Sequence, residues 1–150
     1  MRRLAEAAVF SVLASLASTP ALSQHRCLGP TDVMDAWLHA HGQGDADALA
    51  LLYEEEGRHS TVTTHAGRDA IRALFARNLS HTRDFALEQR RTVLQEHHAV
   101  ETGKALQTVT LQEEAPIRLE ADYAVLLAMG PDGCWRIRHL AGGPPAAGAQ

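Results

Sequence analysis

The sequence lacks the features that mark several large classes of protein. None of its apolar runs reaches the roughly 18 to 20 residues that a membrane-spanning helix needs. Lysine and arginine form no block, and the formal net charge is -4 at pH 7, so no basic surface for nucleic acid is indicated. Hydrophobic residues make up 45% of the 150 residues, which excludes a disordered chain. These features leave one ordinary folded domain.

Cysteine is scarce too, and its spacing carries no motif. Cys27 and Cys134 are the only two, with no Cys-x-x-Cys and no Cys-rich zinc pattern. In an oxidising compartment the pair is a disulfide candidate that would link the N-terminal segment to a late strand. The closed loop of roughly 100 residues would stabilise the fold by at most a few kcal/mol. Two free thiols are the alternative, because the sequence does not place the two Cα atoms within bridging distance.

The N-terminus has the organisation of a cleaved export signal. Arg2 and Arg3 form a short positive region, and an apolar stretch follows over residues 7–17. The small residues Ala21 and Ser23 suit a cleavage site after Ser23. An N-terminal core helix is the alternative, but the stretch lacks helical polarity, which favours the signal. We therefore expect a secreted or periplasmic protein.

Helical periodicity dominates the first half of the mature chain. Apolar residues at three-and-four spacing predict three helices, over about residues 32–41, 46–56 and 68–79. Asp45 is the expected N-cap of the second helix and Gly57 its C-terminal cap. A short extended segment, residues 58–65, lies between the second and third helices.

From Phe85 onward the apolar period changes to two. This predicts four strands, which begin at Phe85 and continue over about residues 99–111, 120–129 and 134–141. In the first of them Phe85, Leu87 and Val93 are expected on one face. Residues 113–116 read as a break, and Pro131, Asp132 and Gly133 as a hairpin turn. The predicted fold class is α+β, with three N-terminal helices packed in a curved, mostly antiparallel sheet of four to six strands.

The third predicted strand is apolar on both faces. Tyr123, Val125, Leu127 and Met129 share one face, whereas Ala124, Leu126 and Ala128 share the other. Since both faces favour burial, the outer one is expected to contact a partner, most simply a second copy in a homodimer.

These patterns predict four segments. They are a signal peptide over residues 1–23, an N-terminal segment over 24–30, a folded domain over 31–141 and a tail over 142–150. The tail has no periodicity and contains two prolines, so we expect it to be disordered.

Short motifs in a fixed order resemble the SnoaL-like branch of the nuclear transport factor 2-like superfamily. They are Trp37, the Gly44-Asp45 step, Ala-Leu-Ala-Leu-Leu-Tyr at 48–53, Gly-Arg-Asp-Ala-Ile at 67–71, Asp122-Tyr123, and Asp-Gly-Cys-Trp-Arg-Ile at 132–137. The resemblance spans roughly residues 31–141. It implies a cone in which a curved sheet wraps around helices and encloses an apolar pocket, commonly in a dimer formed through the outer sheet face. This fold hosts isomerases, cyclases, dehydratases, epoxide hydrolases and binding modules, so function stays open.

The resemblance allows two mechanistic tests. The ketosteroid isomerase branch uses a tyrosine donor and an aspartate base, and alignment places Trp37 at the first position and Ser60 or Thr61 at the second. An indole offers one N–H donor and a hydroxyl is no base at neutral pH, so ketosteroid isomerase activity is not expected. An epoxide hydrolase would need two carboxylates around an arginine, and the sequence does not locate such a trio.

Nine histidines make general acid or base chemistry the main catalytic candidate. His59, Thr61 and His65 share one face of the extended segment, which would border the pocket mouth in this fold. His139 alternates with Ile137 and is expected to point inward. Each histidine is a candidate acid, base or ligand contact; a solvated polar edge and a satisfied core histidine are the alternatives.

Other polar residues carry weaker predictions. Glu101 is a candidate base if its strand face is the inner one, and a solvated charge if that face is the outer one. His59, His65 and His139 could converge on a metal only through tertiary structure, and no His-Glu-x-x-His spacing occurs, so no metal or cofactor is predicted. Two further pairs are expected on the surface: His39 with His41, and His97 with His98.

The aromatic residues complete the candidate site. Trp37, Tyr53, Phe75 and Tyr123 are core residues by default, and in a cone they are also the walls of the pocket. Together with His59, Thr61, His65 and His139 they predict an exported domain that binds a small apolar molecule. One alternative is an enzyme of isomerase, cyclase or dehydratase type that uses a pocket histidine. Another is a dimeric interaction domain without a ligand.

Overall fold

The computed structural model describes residues 27–111 and 114–144, which form three helices and a six-stranded sheet. The helices are α1 (Val33–Gly42), α2 (Ala46–Leu51) and α3 (Arg68–Asn78), with a 3-10 turn at Leu79–His81. The strands are β1 (Tyr53–Ser60), β2 (Thr64–Ala66), β3 (Thr82–Gln95), β4 (His98–Val109), β5 (Ile117–Met129) and β6 (Trp135–Gly143). The sheet order is β2-β1-β6-β5-β4-β3, with β1 and β6 parallel and the other pairs antiparallel. The predicted α+β class is confirmed.

The core lies between the helices and one face of the sheet. On the sheet side it includes Tyr53, Val125, Leu127 and Ile137, each 0% exposed. The helices contribute Val33, Met34, Trp37, Leu49, Ile71 and Phe75. The alternation predicted for β5 is therefore confirmed, and its inner face is the one that carries Tyr123.

The prediction of a second helix over residues 46–56 is wrong after Leu51. α2 ends at Leu51, and the chain continues as strand β1, where Tyr53 pairs with Ile137 of β6. Long-range pairing with β6 overrides the local helical pattern. Gly57 caps no helix; a Cβ there would lie 2.9 Å from the carbonyl oxygen of Glu54 and 3.0 Å from that of Ile137. The glycine thus permits a close backbone approach at an irregularity in β1.

Two bulges alter the predicted faces of β3. Asp84 and Gln89 have φ angles of 53° and 51°, and the register with β4 shifts beside each of them. Phe85 stays on the inner side and packs against the core. The second bulge reverses the alternation, so Val93 lies opposite Val100 on the outer face and is 56% exposed. The prediction that Val93 shares a face with Phe85 is therefore wrong.

A further bulge moves His139 to the outer face. Leu127 pairs with Ile137, but the neighbouring Leu126 pairs with His139, so Arg138 is an extra residue in β6. Opposite residues of an antiparallel pair share a face, and Leu126 alternates with the buried Leu127. The predicted inward orientation of His139 is wrong for this reason.

A disulfide fastens the first described residue to the sheet. Cys27 and Cys134 are bonded, with Cα atoms 4.9 Å apart, so the predicted pair is confirmed. Next to it the Trp135 N–H donates to the carbonyl oxygen of Leu28 at 3.3 Å. Within the described ranges, no helix is both long enough and apolar enough to cross a membrane.

Some predictions fall on residues that the structure does not describe. The predicted signal peptide, residues 1–23, lies outside the described residues, as do residue 113 of the predicted break and residues 145–150 of the predicted tail. β6 extends to Gly143, two residues beyond its expected end, and Gly142 pairs there with Tyr123.

Candidate functional site

Six rings meet on the inner side of the sheet and form what we term the aromatic cluster. Its members are Trp37 and His41 of α1, Tyr53 and His59 of β1, Phe75 of α3 and Phe85 of β3. Phe75 lies edge-on to both Trp37 and His59, with ring centroids 5.8 and 5.1 Å apart. Trp37 is 3% exposed, Phe75 6% and His59 7%, whereas His41 and Phe85 are partly exposed, so the cluster meets solvent at these two rings.

A hydrogen-bond chain inside the aromatic cluster sets the tautomer of His59. The Trp37 Nε1–H donates to Tyr53 Oη at 3.3 Å, and Tyr53 Oη lies 2.8 Å from His59 Nδ1. Because Tyr53 already accepts from the indole, its own hydroxyl proton is assigned to His59 Nδ1. His59 then carries its proton on Nε2, and that N–H has no hydrogen-bond partner among the described residues.

Burial keeps the titratable members of the aromatic cluster uncharged. Loss of solvent around His59, together with the nearby His65, His139 and His41, lowers its pKa to about 4. Burial also lowers the pKa of His41 to about 4 and raises that of Tyr53 well above its ordinary value. Near neutral pH the cluster is therefore uncharged and mostly apolar, with a ring N–H on each of His59 and His41 that donates to no described residue.

The position of His41 corrects a prediction. It was expected on the surface, but its ring stacks on Trp37 at 5.0 Å and lies 4.4 Å from that of Phe85. The other three histidines of that prediction, His39, His97 and His98, are exposed as expected.

These lowered pKa values predict a loss of stability in acid. His59 folds in its neutral form, so the unfolded state, with a pKa near 6.5, binds a proton first as the pH falls. The free energy of unfolding should fall between about pH 6.5 and 4 by on the order of 2 to 3 kcal/mol from His59. Urea unfolding at a series of pH values measures this slope. His59→Phe should flatten it and His139→Phe should not; equal slopes in the two variants would contradict the assignment.

The β1–β2 hairpin brings two of the predicted site residues together. His59 pairs directly with His65, so the two side chains share a face, although a hairpin and not one extended segment is the cause. His65 Nε2 is 3.2 Å from the hydroxyl of Thr63. Thr61 lies in the turn of this hairpin and is exposed, away from the aromatic cluster.

His139 lies on the opposite side of the sheet from His59. Its Nε2 is 2.8 Å from the hydroxyl of Ser60, which in turn lies 3.0 Å from that of Thr64. These contacts join β6 to the hairpin on the outer face. His139 is thus no member of the aromatic cluster.

A second polar group surrounds Glu101 on the inner face of β4. The carboxylate is 1% exposed and accepts from Arg90 Nε at 2.9 Å and Nη2 at 3.1 Å. The hydroxyls of Tyr123 and Thr92 donate to it at 2.8 and 3.3 Å. Tyr123 reaches it across Gly103, where a Cβ would lie 2.9 Å from Tyr123 Oη. Glu101 therefore lies on the inner face, but its acceptor positions are occupied, and it is not available as a base.

Arg90 also pairs with Asp35 of α1, which gives an Asp35–Arg90–Glu101 bridge between helix and sheet. This is an arrangement of two carboxylates around an arginine that the sequence did not locate. Arg90 reaches it from the bulge beside Gln89, and bulges leave no clear signal in a single sequence. The Asp35 side chain is 64% exposed, so the bridge runs from the buried core to open solvent. It does not enclose a substrate pocket.

Two cavities of about 320 Å³ each lie elsewhere on the described surface. One is lined by Asp84, Leu106, Gln107, Thr108 and Arg118, and the other by Glu54, Glu55, Glu56, Arg68, Gly130, Pro131 and Arg136. Neither includes a predicted pocket residue. Within residues 27–111 and 114–144, no group of three His, Cys, Asp or Glu side chains is placed to hold a metal ion.

Comparisons with known proteins place the fold. The sequence matches no protein-family model and no curated protein. A candidate calcium/calmodulin-dependent protein kinase II association domain from Xanthomonas campestris superposes with a TM-score of 0.68 at 23% identity, covering 79% of this chain and 86% of that one. A ketosteroid isomerase-like protein from Erwinia carotovora atroseptica gives 0.70 at 16% identity, with coverage of 77% and 93%. A candidate dehydratase of the nuclear transport factor 2-like family from Streptomyces avermitilis gives 0.62 at 17%, with coverage of 77% and 93%.

These similarities show the nuclear transport factor 2-like cone fold, as the resemblance in the sequence predicted. At such identities they establish the fold alone, since proteins of this shape differ widely in activity. The narrower SnoaL-like resemblance stays a prediction.

Proposed function

We propose that this chain is a small-molecule-binding domain whose ligand occupies the inner side of the cone at the aromatic cluster. The observation that carries the proposal is His59, a neutral histidine held by Tyr53 with its Nε2–H unpaired beside Phe75. An apolar wall with one oriented donor is the usual composition of a site for a small, largely apolar ligand. The donor supplies the polar contact and the rings supply the burial.

Binding fits the electrostatics better than catalysis does. A general base works best with a pKa near the operating pH, and burial lowers the pKa of His59 to about 4. The other inner-face candidate, Glu101, forms an ion pair with Arg90. His59 is therefore not poised to take a proton from a substrate at neutral pH, and the oxygens of Glu101 already accept four hydrogen bonds.

An enzyme of isomerase, cyclase or dehydratase type is the second candidate. The observation in its favour is the 2.8 Å contact between Tyr53 Oη and His59 Nδ1, which fixes the ring and leaves its Nε2–H as a donor toward a substrate. Among proteins of this fold, a ketosteroid isomerase-like protein and a candidate dehydratase are similar in structure. The classical ketosteroid isomerase donor position holds Trp37, whose N–H is used by Tyr53.

The test uses 6-propionyl-2-(dimethylamino)naphthalene, an uncharged fluorescent ring compound with one acceptor oxygen. We expect saturable binding with a blue shift of its emission. His59→Phe should weaken the affinity about three- to tenfold, the value of one hydrogen bond. His139→Phe is the matched control, because that ring also contacts a hydroxyl at 2.8 Å but on the outer face.

Three outcomes separate the candidates. Absence of saturable binding to the wild-type protein would overturn the binding proposal. Equal loss in both variants would place the probe outside the aromatic cluster. If instead His59→Phe keeps its affinity for a compound that co-purifies with the protein but no longer converts it, the enzyme is the correct alternative.

We also propose that the protein is exported and forms a homodimer through the outer sheet face. Disulfides form and persist in oxidising compartments, so the Cys27–Cys134 bond supports export. On the outer face Val93 and Val100 are 56% and 41% exposed, next to Leu126 and the exposed Ala124. Native mass spectrometry of the exported protein should give a dimer of chains cleaved near Ser23. A monomer that keeps Met1 would overturn both parts, and a dimer that binds no probe would support an interaction domain.

A further inference from the structure

A ligand can reach the buried rings of the aromatic cluster, Trp37, Tyr53, His59 and Phe75, only if an element beside them moves aside. The cluster meets solvent at His41 of α1 and Phe85 of the edge strand β3, and these two elements cover the buried rings along one side. These two elements meet where Trp37 and His41 contact Phe85, at 5.2 and 4.4 Å between ring centroids. We call this line of contact, which ends at the Asp35–Arg90 ion pair, the α1–β3 seam.

The β3 side of the seam is interrupted at both ends. Asp84 and Gln89 adopt left-handed backbone conformations that non-glycine residues rarely take, and they bracket the segment 85–88. Bulges at these points break the ladder with β4, and β3 has no other strand beside it in the sheet. Strained backbone of this kind is concentrated at binding clamps and switch regions. Residues 86–88 still pair with β4, but an irregularity interrupts the ladder on each side of them.

The two halves of the Asp35–Arg90–Glu101 bridge differ in strength. Glu101 is buried and holds Arg90 through two hydrogen bonds, so this half stays closed. Asp35 is 64% exposed, and an ion pair with such a partner is weak and screened by salt. Thermal opening of the bridge therefore breaks the Asp35–Arg90 contact first and leaves the ring contacts with Phe85 to hold α1 against β3.

We propose that the α1–β3 seam is the ligand entrance and that the Asp35–Arg90 ion pair is its latch. The inference rests on the proposed function, because an entrance needs an interior ligand. Arg90 stays anchored to the sheet through Glu101 while the helix side releases. The latch sets how fast a ligand enters and leaves, and since it touches no part of the aromatic cluster, it leaves the affinity unchanged.

Stopped-flow binding of the naphthalene probe tests the latch. Asp35→Asn should raise the association and dissociation rates together by about two- to fivefold, the range expected for one exposed ion pair, with Kd unchanged. Added salt should speed entry in the wild-type protein but not in Asp35→Asn, because the probe is uncharged. Asp47→Asn is the matched control, since Asp47 is 79% exposed and pairs at 2.7 Å with Arg72 between α2 and α3.

A measurement without ligand makes the two proposals separable. In a Trp135→Phe background, acrylamide quenching reports on Trp37 alone, and Asp35→Asn should increase it about twofold or more by opening the seam. Increased quenching without any probe binding would support the latch and overturn the proposed binding function. Probe binding with wild-type rates and wild-type quenching in Asp35→Asn would overturn the latch and leave the binding function standing.

Discussion

Replacement of Arg90 with methionine is expected to lower the free energy of unfolding by about 3 to 5 kcal/mol, because it leaves a buried carboxylate without its cation. Glu101 is 1% exposed, and two of its four hydrogen bonds come from Arg90. The remaining donors, Tyr123 and Thr92, are neutral and do not balance the charge. Urea denaturation followed by circular dichroism measures the change.

Two further variants separate the charge from the packing. Adding Glu101→Gln to Arg90→Met should restore part of the lost stability, since the amide is uncharged. Arg72→Met is the surface control, whose contacts with Asp47 and Asp69 are exposed and should cost less than about 1 kcal/mol. A loss for Arg90→Met no larger than that for Arg72→Met would show that Glu101 reaches water or another cation.

Removal of the disulfide is expected to have an effect of similar size. The Cys27–Cys134 bond spans 107 residues, and closing a loop of that length lowers the entropy of the unfolded chain. The double variant Cys27→Ser with Cys134→Ser should lose about 2 to 5 kcal/mol, the range found for small secreted domains. Urea unfolding of oxidised and variant proteins at one pH gives the difference.

Reduction of the wild-type protein is the control for this prediction. With dithiothreitol present the wild-type midpoint should fall to that of the double variant, because both then lack the same constraint. The double variant itself should not respond to the reductant. A wild-type protein whose unfolding is insensitive to dithiothreitol would contradict the bond.

Much of the fold could be predicted because its signals are local. α1 follows from the spacing of Val33, Met34 and Trp37, and the face of β5 follows from strict alternation at Tyr123 and Val125. The predicted elements differ from the observed ones where a strand's pairing partner is far away in the chain. Residues after Leu51 have a helical pattern, but they form β1 because they pair with β6 as a parallel strand.

Bulges explain most of the errors in the candidate site. One extra residue in a strand reverses every side chain beyond it, and so His139 and Val93 face the opposite side from the one that period two predicts. The same effect brings Arg90 to Glu101, a contact that no spacing rule indicates. Trp37, Tyr53 and Phe75 were predicted correctly as inner residues, because large apolar rings are buried whether they belong to the core or to a pocket wall.

The place of β6 in the sheet has a consequence for biosynthesis. This strand is made after the other described strands but lies between β1 and β5, and it is the element that joins them into one sheet. Until residue 143 has left the ribosome, each half exposes an open strand edge of the kind that pairs with other chains. Assembly of the sheet therefore waits for β6, Trp135–Gly143, which joins strands that are far apart in the chain. Premature termination before Trp135 should yield aggregates and not a smaller domain.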